Sequence, residues 1–172
     1  MNFEETINNK ALKPKEKTQI LCDWILSNTN ESNRLLLYSV NCKDSIKASC
    51  IEAFEMATKT KPEIVSSTSF NFFVNCLKEK APRIKWESAR VIGNIAAFHK
   101  NKLNEAVLHL IQNAEHTGTV VRWSAAFALG EILKLNTSLN KELLPKIDSL
   151  CKKEEKNSIK KIYLSALKKS SY

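Results

Sequence analysis

The sequence predicts an all-α protein: a superhelix of about four stacked helical hairpins behind an N-terminal capping helix. Three observations carry that prediction. The first is an internal repeat, in which Ile46, Ile84, Val121 and Ile159 open segments of like pattern and stand 38, 37 and 38 residues apart, a period typical of stacked helical units. The second is the phase of the apolar residues. At about 100° per residue, Val121, Ala125, Ala128, Leu129 and Ile132 fall in one arc of roughly 120°. Ile84, Ser88, Val91, Ile92 and Ile95 repeat those positions, and so, over shorter stretches, do Ile46, Cys50, Ala53, Phe54 and Ile159, Tyr163, Ala166, Leu167. The third is composition: three Gly and four Pro in 172 residues are too few for a turn-rich β protein, and a hydrophobic content of 43% supplies a core.

Taken in order, residues 1–13 show only a weak apolar pattern (Phe3, Ile7, Leu12) and read as a flexible N-terminal arm, with residues 14–172 as a single solenoid domain. Pro14 suits a first helical turn, and Ile20, Leu21, Trp24 and Ile25 make the stripe of a capping helix over Lys15–Ser27 that Asn28-Thr29-Asn30 ends. The first repeat pairs a helix over Glu31–Val40 with one running to about Thr58, for which Asp44 or Ser45 is an available cap. The second pairs Ser67–Lys80 with Pro82–Phe98. The third pairs Leu103–Ala114 with Thr119–Leu135 around a turn holding Gly118, and the fourth pairs Ser138–Lys153 with Asn157–Lys169. All connections are short, as antiparallel neighbours require.

Each anchor is followed by a cation (Lys47, Lys85, Arg122, Lys160), and Gly93 and Gly130 share a frame position. A hydrophobic residue plus Arg opening a helix, followed by small residues and Leu-Gly, resembles the second helix of HEAT repeats, and the resemblance covers roughly residues 31–172. Leu143-Leu144-Pro145 is similar to the proline-bearing stretch of their first helices. The copy at Ile46 lacks the glycine and the copy at Ile159 has Lys168 in its place, as atypical end repeats of solenoids do. The resemblance implies an armadillo-like α-solenoid whose second helices line a concave face, and the function it implies is that of a non-catalytic scaffold or adaptor.

On the frame, the recurrent cation lies near 100°, beside the buried arc. A long stem packs there while its head reaches loop oxygens of a neighbouring repeat, so these four cations read as structural. Positions two, three, six and ten after each anchor point away from the core arc. They bring Trp86, Glu87, Arg90 and Asn94 onto one helix, and Trp123, Phe127 and Glu131 onto the next. Aromatic and Arg residues are typical interface anchors, so these seven are the candidate partner-binding residues. The alternative is that the two tryptophans close the seam between repeats.

The net charge is +9, and it is uneven: residues 1–60 hold eight basic and eight acidic residues, 61–140 ten and six, and 141–172 nine and four. A basic C-terminal part admits nucleic acid as a second class of partner, with Lys152, Lys153, Lys156, Lys160 and Lys161 as phosphate contacts. The glutamates among the outward positions favour protein or peptide. A third class is an enzyme on the same scaffold. Trp86, Trp123 and Arg90 are similar to the aromatic and basic residues of HEAT-like alkylpurine DNA glycosylases, but no Asp stands at the outward positions; a bilin lyase of related short repeats is a further resemblance. No phosphate loop, nucleophile elbow or metal-binding spacing occurs, so no enzyme activity, metal or cofactor is expected. The five cysteines read as reduced core thiols, and His99, His109 and His116 as turn or surface residues. Without an apolar run long enough to span a bilayer or a leader-like N-terminus, the expected location is cytoplasmic.

Overall fold

Apolar residues at the helical period, interrupted by few helix breakers, produce helices throughout a computed structural model that describes residues 2–170. Met1 of the expected arm and residues 171–172 of the expected solenoid lie outside the described residues. Ten α-helices occur among the described residues and no strand: α1 (Phe3–Asn8), α2 (Pro14–Ser27), α3 (Ser32–Val40), α4 (Asp44–Thr60), α5 (Ser67–Cys76), α6 (Pro82–Ile95), α7 (Leu103–Ala114), α8 (Thr119–Leu133), α9 (Asn140–Lys153) and α10 (Asn157–Ser170). The hairpins α3–α4, α5–α6, α7–α8 and α9–α10 are the four repeats. Helix α2 packs on α4 as a preceding second helix would, and α4, α6, α8 and α10 pack on one another in a row, whereas the first helices touch their neighbours far less. This is the α-solenoid that the 38-residue period predicts.

Several local expectations change. The N-terminal residues are not a loose arm: Asn2 caps α1, its side chain accepting from the Glu4 amide while its own amide donates to Glu5 Oε2. Phe3 and Ile7, one turn apart, are buried. Phe3 meets Trp24 and Tyr38 edge-on at 4.9 and 5.6 Å, and Lys17 Nζ donates to the Ile7 carbonyl at 2.7 Å. Asn-x-x-Glu is a capping box, and that signal makes this helix legible in hindsight. Helix α4 is not capped by Asp44 or Ser45; Lys43 is its N-cap residue, without a side-chain bond. Helix α5 stops at Cys76 and α8 at Leu133, earlier than the apolar pattern runs. After α8 the chain turns through Asn136 at φ 50°, a left-handed conformation that Asn tolerates, and Asn140 Nδ2 donates to the Leu133 carbonyl at 2.8 Å. Pro145 lies inside α9, where it removes one backbone donor.

His99 is buried rather than superficial. Its Nε2–H donates to the Val65 carbonyl at 3.0 Å and its ring stacks on Phe70 at 4.7 Å, tying the entrance of α5 to the exit of α6. Burial pushes its pKa below that of an ordinary imidazole.

The two repeat glycines do different work. A Cβ on Gly93 would lie 2.5 and 2.9 Å from the Phe127 ring and 3.2 Å from the Ala128 Cα; on Gly130 it would meet only the Ala166 Cβ at 3.4 Å and the Ile162 Cγ2 at 3.6 Å. Gly93→Ala is therefore expected to destabilise by about 1–3 kcal/mol through overpacking, while Gly130→Ala is neutral or stabilising by up to about 1 kcal/mol through helix propensity. Equal melting temperatures for the two variants would contradict this.

The unfolded chain protonates His99 near pH ~6.5, whereas the folded chain resists the proton. The unfolded state thus binds more protons as pH falls through that value, and stability is lost on acidification until the lower folded pKa is passed. Denaturant midpoints measured between about pH 7.5 and 5 are expected to fall with pH, and to fall less in His99→Gln.

Candidate functional site

Two faces of each second helix meet its neighbours. Toward the following repeat, in the first two seams, the small or charged residue nine positions after one anchor meets the residue six positions after the next. Gly93 of α6 receives Phe127 of α8, and Glu55 of α4 pairs with Arg90 of α6 at 2.7 Å. Glu55 is buried and also takes Lys59 at 2.8 Å. Asn94 of α6 donates to the Glu55 carbonyl and to Thr58 Oγ1, both at 3.1 Å. Arg83, just before the α6 anchor, pairs with Glu52 at 2.7 Å.

The cation after each of the first three anchors also serves the stack. Lys47 reaches Glu79 of the next repeat at 2.7 Å. Lys85 donates to the Leu77 carbonyl at 2.9 Å and to Asn113 Oδ1 at 3.1 Å. Arg122 takes both oxygens of Glu154, at 2.9 and 3.3 Å, and the His116 and Thr117 carbonyls at 3.1 Å. The Arg122 bond holds the Glu154 carboxyl below its ordinary pKa. For Lys47, burial works against the charge and Glu79 more than offsets it, leaving its pKa raised; at Lys85 burial prevails and the pKa is lowered. The structural reading of these cations thus holds for three of the four. Lys160, the fourth, has no acceptor for its ammonium among the described residues.

These contacts sort the seven candidate residues. Glu87 is buried, not outward. Its Oε1 accepts from Trp86 Nε1 at 2.8 Å, while its Oε2 lacks a hydrogen-bond donor and faces Arg90 Nη1 at 3.5 Å. Burial raises its pKa, against the Trp86 bond and the Arg90 charge. Arg90 and Asn94 are committed to Glu55 and Thr58, so in α6 position ten after the anchor, like position three, faces the preceding repeat. Ser124 is buried at that third position, and so is Ala48 at position two of the first repeat. Phe127 covers Gly93. Glu131 pairs with Lys134 on its own helix.

Trp86 is half-buried, and Trp123 stands out at 38% exposed. The Trp123 ring lies parallel to Phe127, with centroids 6.0 Å apart and planes 7° off. Val120, one turn earlier, is also exposed. The structure therefore brings together an aromatic shelf of Trp123, Phe127 and Val120, with Trp86 at the matching place on α6. A cleft of about 260 Å³, lined by Ile7, Leu12, Pro14, Leu21 and Ile46 with Lys17 and Arg83, was not legible, because it exists only once α1 folds onto α2 and α4.

Two of the five proposed phosphate contacts are already paired with acids. Lys152 and Lys153 end α9, where they pair with Asp148 at 2.6 Å and Glu115 at 3.6 Å. Lys156 lies in the α9–α10 turn, and Lys160 and Lys161, about 100° apart around α10, head in different directions.

No family model and no curated protein matches the chain. Solved structures do. A designed armadillo repeat protein in complex with the peptide (KR)4 superposes with a TM-score of 0.73 at 16% identity, over 98% of this chain and 80% of that one. A designed armadillo protein made for modular peptide recognition gives 0.71 at 14%, over 97% and 80%. The complex of CpcE and CpcF of phycocyanin lyase from Nostoc sp. PCC7120 gives 0.74 at 12%, over 95% and 96%. These likenesses establish the helical-repeat fold. They assign no activity at such identities.

The Arg122–Glu154 pair, with side chains 19% and 6% exposed, sits in the seam between the third and fourth repeats. Glu154→Gln leaves the guanidinium without its counter-charge and is expected to cost about 1–3 kcal/mol. The double variant Arg122→Met/Glu154→Leu is expected to recover most of that loss, since a buried pair replaced by apolar residues is often close to neutral. Denaturant unfolding of the single and double variants checks both.

Proposed function

We propose that the chain is a non-catalytic repeat scaffold that holds an extended peptide, or the peptide-like segment of a partner protein, across α6 and α8. The observation that carries this reading is the Trp123 shelf: a large aromatic stacked on Phe127, still 38% exposed. Aromatic anchors of this kind dominate interface energetics. The second helices pack closer along the row than the first helices do, so we infer that the stack bends toward them and that the shelf faces its concave side. The designed armadillo protein in complex with the peptide (KR)4 supports a peptide as the ligand.

Peptide is favoured over nucleic acid by the charges on this face. Arg83 is paired with Glu52, and Arg90 with the buried Glu55 and Glu87, leaving little unpaired positive charge for phosphates. A scaffold is favoured over a catalyst because the perturbed acid of this face, Glu87, is enclosed in the seam beside Trp86 and Arg90 rather than open to a substrate.

Random-peptide display on the intact chain provides the test. Peptides selected on the wild type are expected to lose at least about 2 kcal/mol of affinity on Trp123→Ala, with melting nearly unchanged. Phe127→Ala is expected to cost about 2–4 kcal/mol of stability because it empties the space over Gly93. Selected peptides that bind the Trp123→Ala variant as tightly as the wild type would remove the shelf as the site.

A further inference from the structure

The three internal seams define what a surface must offer to receive the next repeat, and α10 displays the donor half of such a seam. Position five after the anchor is Ile51, Ala89 and Ala126 in α4, α6 and α8, at 0, 1 and 0% exposed. It lies near 140° on the frame, between the cation at 100° and the glycine or glutamate position at 180°, on the side that meets the following repeat. The same position in α10 is Leu164, 53% exposed. One turn to either side stand Lys160 and Lys168, in the frame places of Arg122 and Gly130, so the line reads Lys160, Leu164, Lys168 at i, i+4 and i+8. Leu164 and Lys168 are exposed and Lys160 is half-buried, and neither ammonium has an acceptor among the described residues.

Charge separates this face from the other three. Helices α4, α6 and α8 each carry at least one carboxylate, whereas α10 has Lys160, Lys161, Lys168 and Lys169 and no acid. We infer that α10 is a docking face for an acidic amphipathic helix of a partner protein, which covers Leu164 with an apolar stripe and sets carboxylates on Lys160 and Lys168 as Glu154 does on Arg122. The occupant's chemistry follows from the seams already formed: Lys47 and Arg122 each find a glutamate on the neighbouring unit. Two such faces meeting each other would oppose four lysines, Lys160 and Lys168 of each copy, which disfavours a second copy of this chain bound face to face. This surface is separate from the Trp123 shelf, so neither reading depends on the other.

The probe is a synthetic helical peptide of about 20 residues with a leucine stripe flanked by glutamates, alongside a counterpart in which glutamine replaces every glutamate. Fluorescence anisotropy with the intact chain at about 50 and 300 mM salt is expected to show saturable binding of the glutamate peptide, at least about tenfold tighter than its counterpart and weaker at the higher salt. Leu164→Asp and Lys160→Glu should each weaken it at least about tenfold without moving the melting temperature, because Leu164 is exposed and Lys160 has no partner to lose, and Trp123→Ala should leave it unchanged. Three results would overturn the proposal: no binding; equal binding of the two peptides or full binding by Leu164→Asp; and a dimer of the free chain that Leu164→Asp dissolves, which would assign the face to a second copy. Retention of short duplex DNA at the higher salt that is indifferent to Leu164 would likewise overturn it, giving these lysines to phosphate.

Discussion

The fit between successive second helices is the constraint on which this architecture rests. Each of these helices presents one side to the repeat before it and another to the repeat after it, and the two must match in volume and charge. Gly93 is empty because Phe127 is large; Glu55 is buried because Arg90 and Lys59 neutralise it. The cations after the anchors fasten the loops of one unit to the next. With these contacts in place, the apolar arcs of neighbouring units fuse into one core running from Phe3 to Ala166.

Much of this could be read from the residues because a repeat states its pattern several times. A 38-residue period and a 120° arc leave little freedom in the fold, and the angle of the recurrent cation was enough to predict its loop oxygens. The candidate site was less legible. Angle alone put Glu87, Arg90 and Asn94 on the outside, because an amphipathic wheel distinguishes the core from everything else but does not distinguish solvent from a neighbouring repeat. The signal that separates those two lies across repeats: glycine opposite phenylalanine, and glutamate opposite arginine, at frame positions nine and six. Trp123, Glu131 and, in part, Trp86 remain once the residues committed to a neighbouring repeat are removed.

The ends deviate for physical reasons of their own. Helix α1 is six residues long, too short for a periodicity reading and too short to persist alone; the capping box and the burial of Phe3 between Trp24 and Tyr38 stabilise it. His99 reads locally as a turn residue because its burial comes from Val65 and Phe70 of another segment, a contact invisible to local pattern.

The three seams carry different chemistry: a carboxylate with an arginine between the first two units, a glycine with a phenyl ring between the second and third, and a glycine with an alanine between the third and fourth. Each junction is thus keyed to one neighbour only. Deleting the third hairpin would set Gly93 opposite Ala166 with no ring to fill the gap, and exchanging the second and third would bring Phe127 against the buried carboxylate of Glu55. Although the units look alike in their core arcs, their order along the chain is encoded, and this solenoid cannot be lengthened, shortened or shuffled as an array of identical modules can.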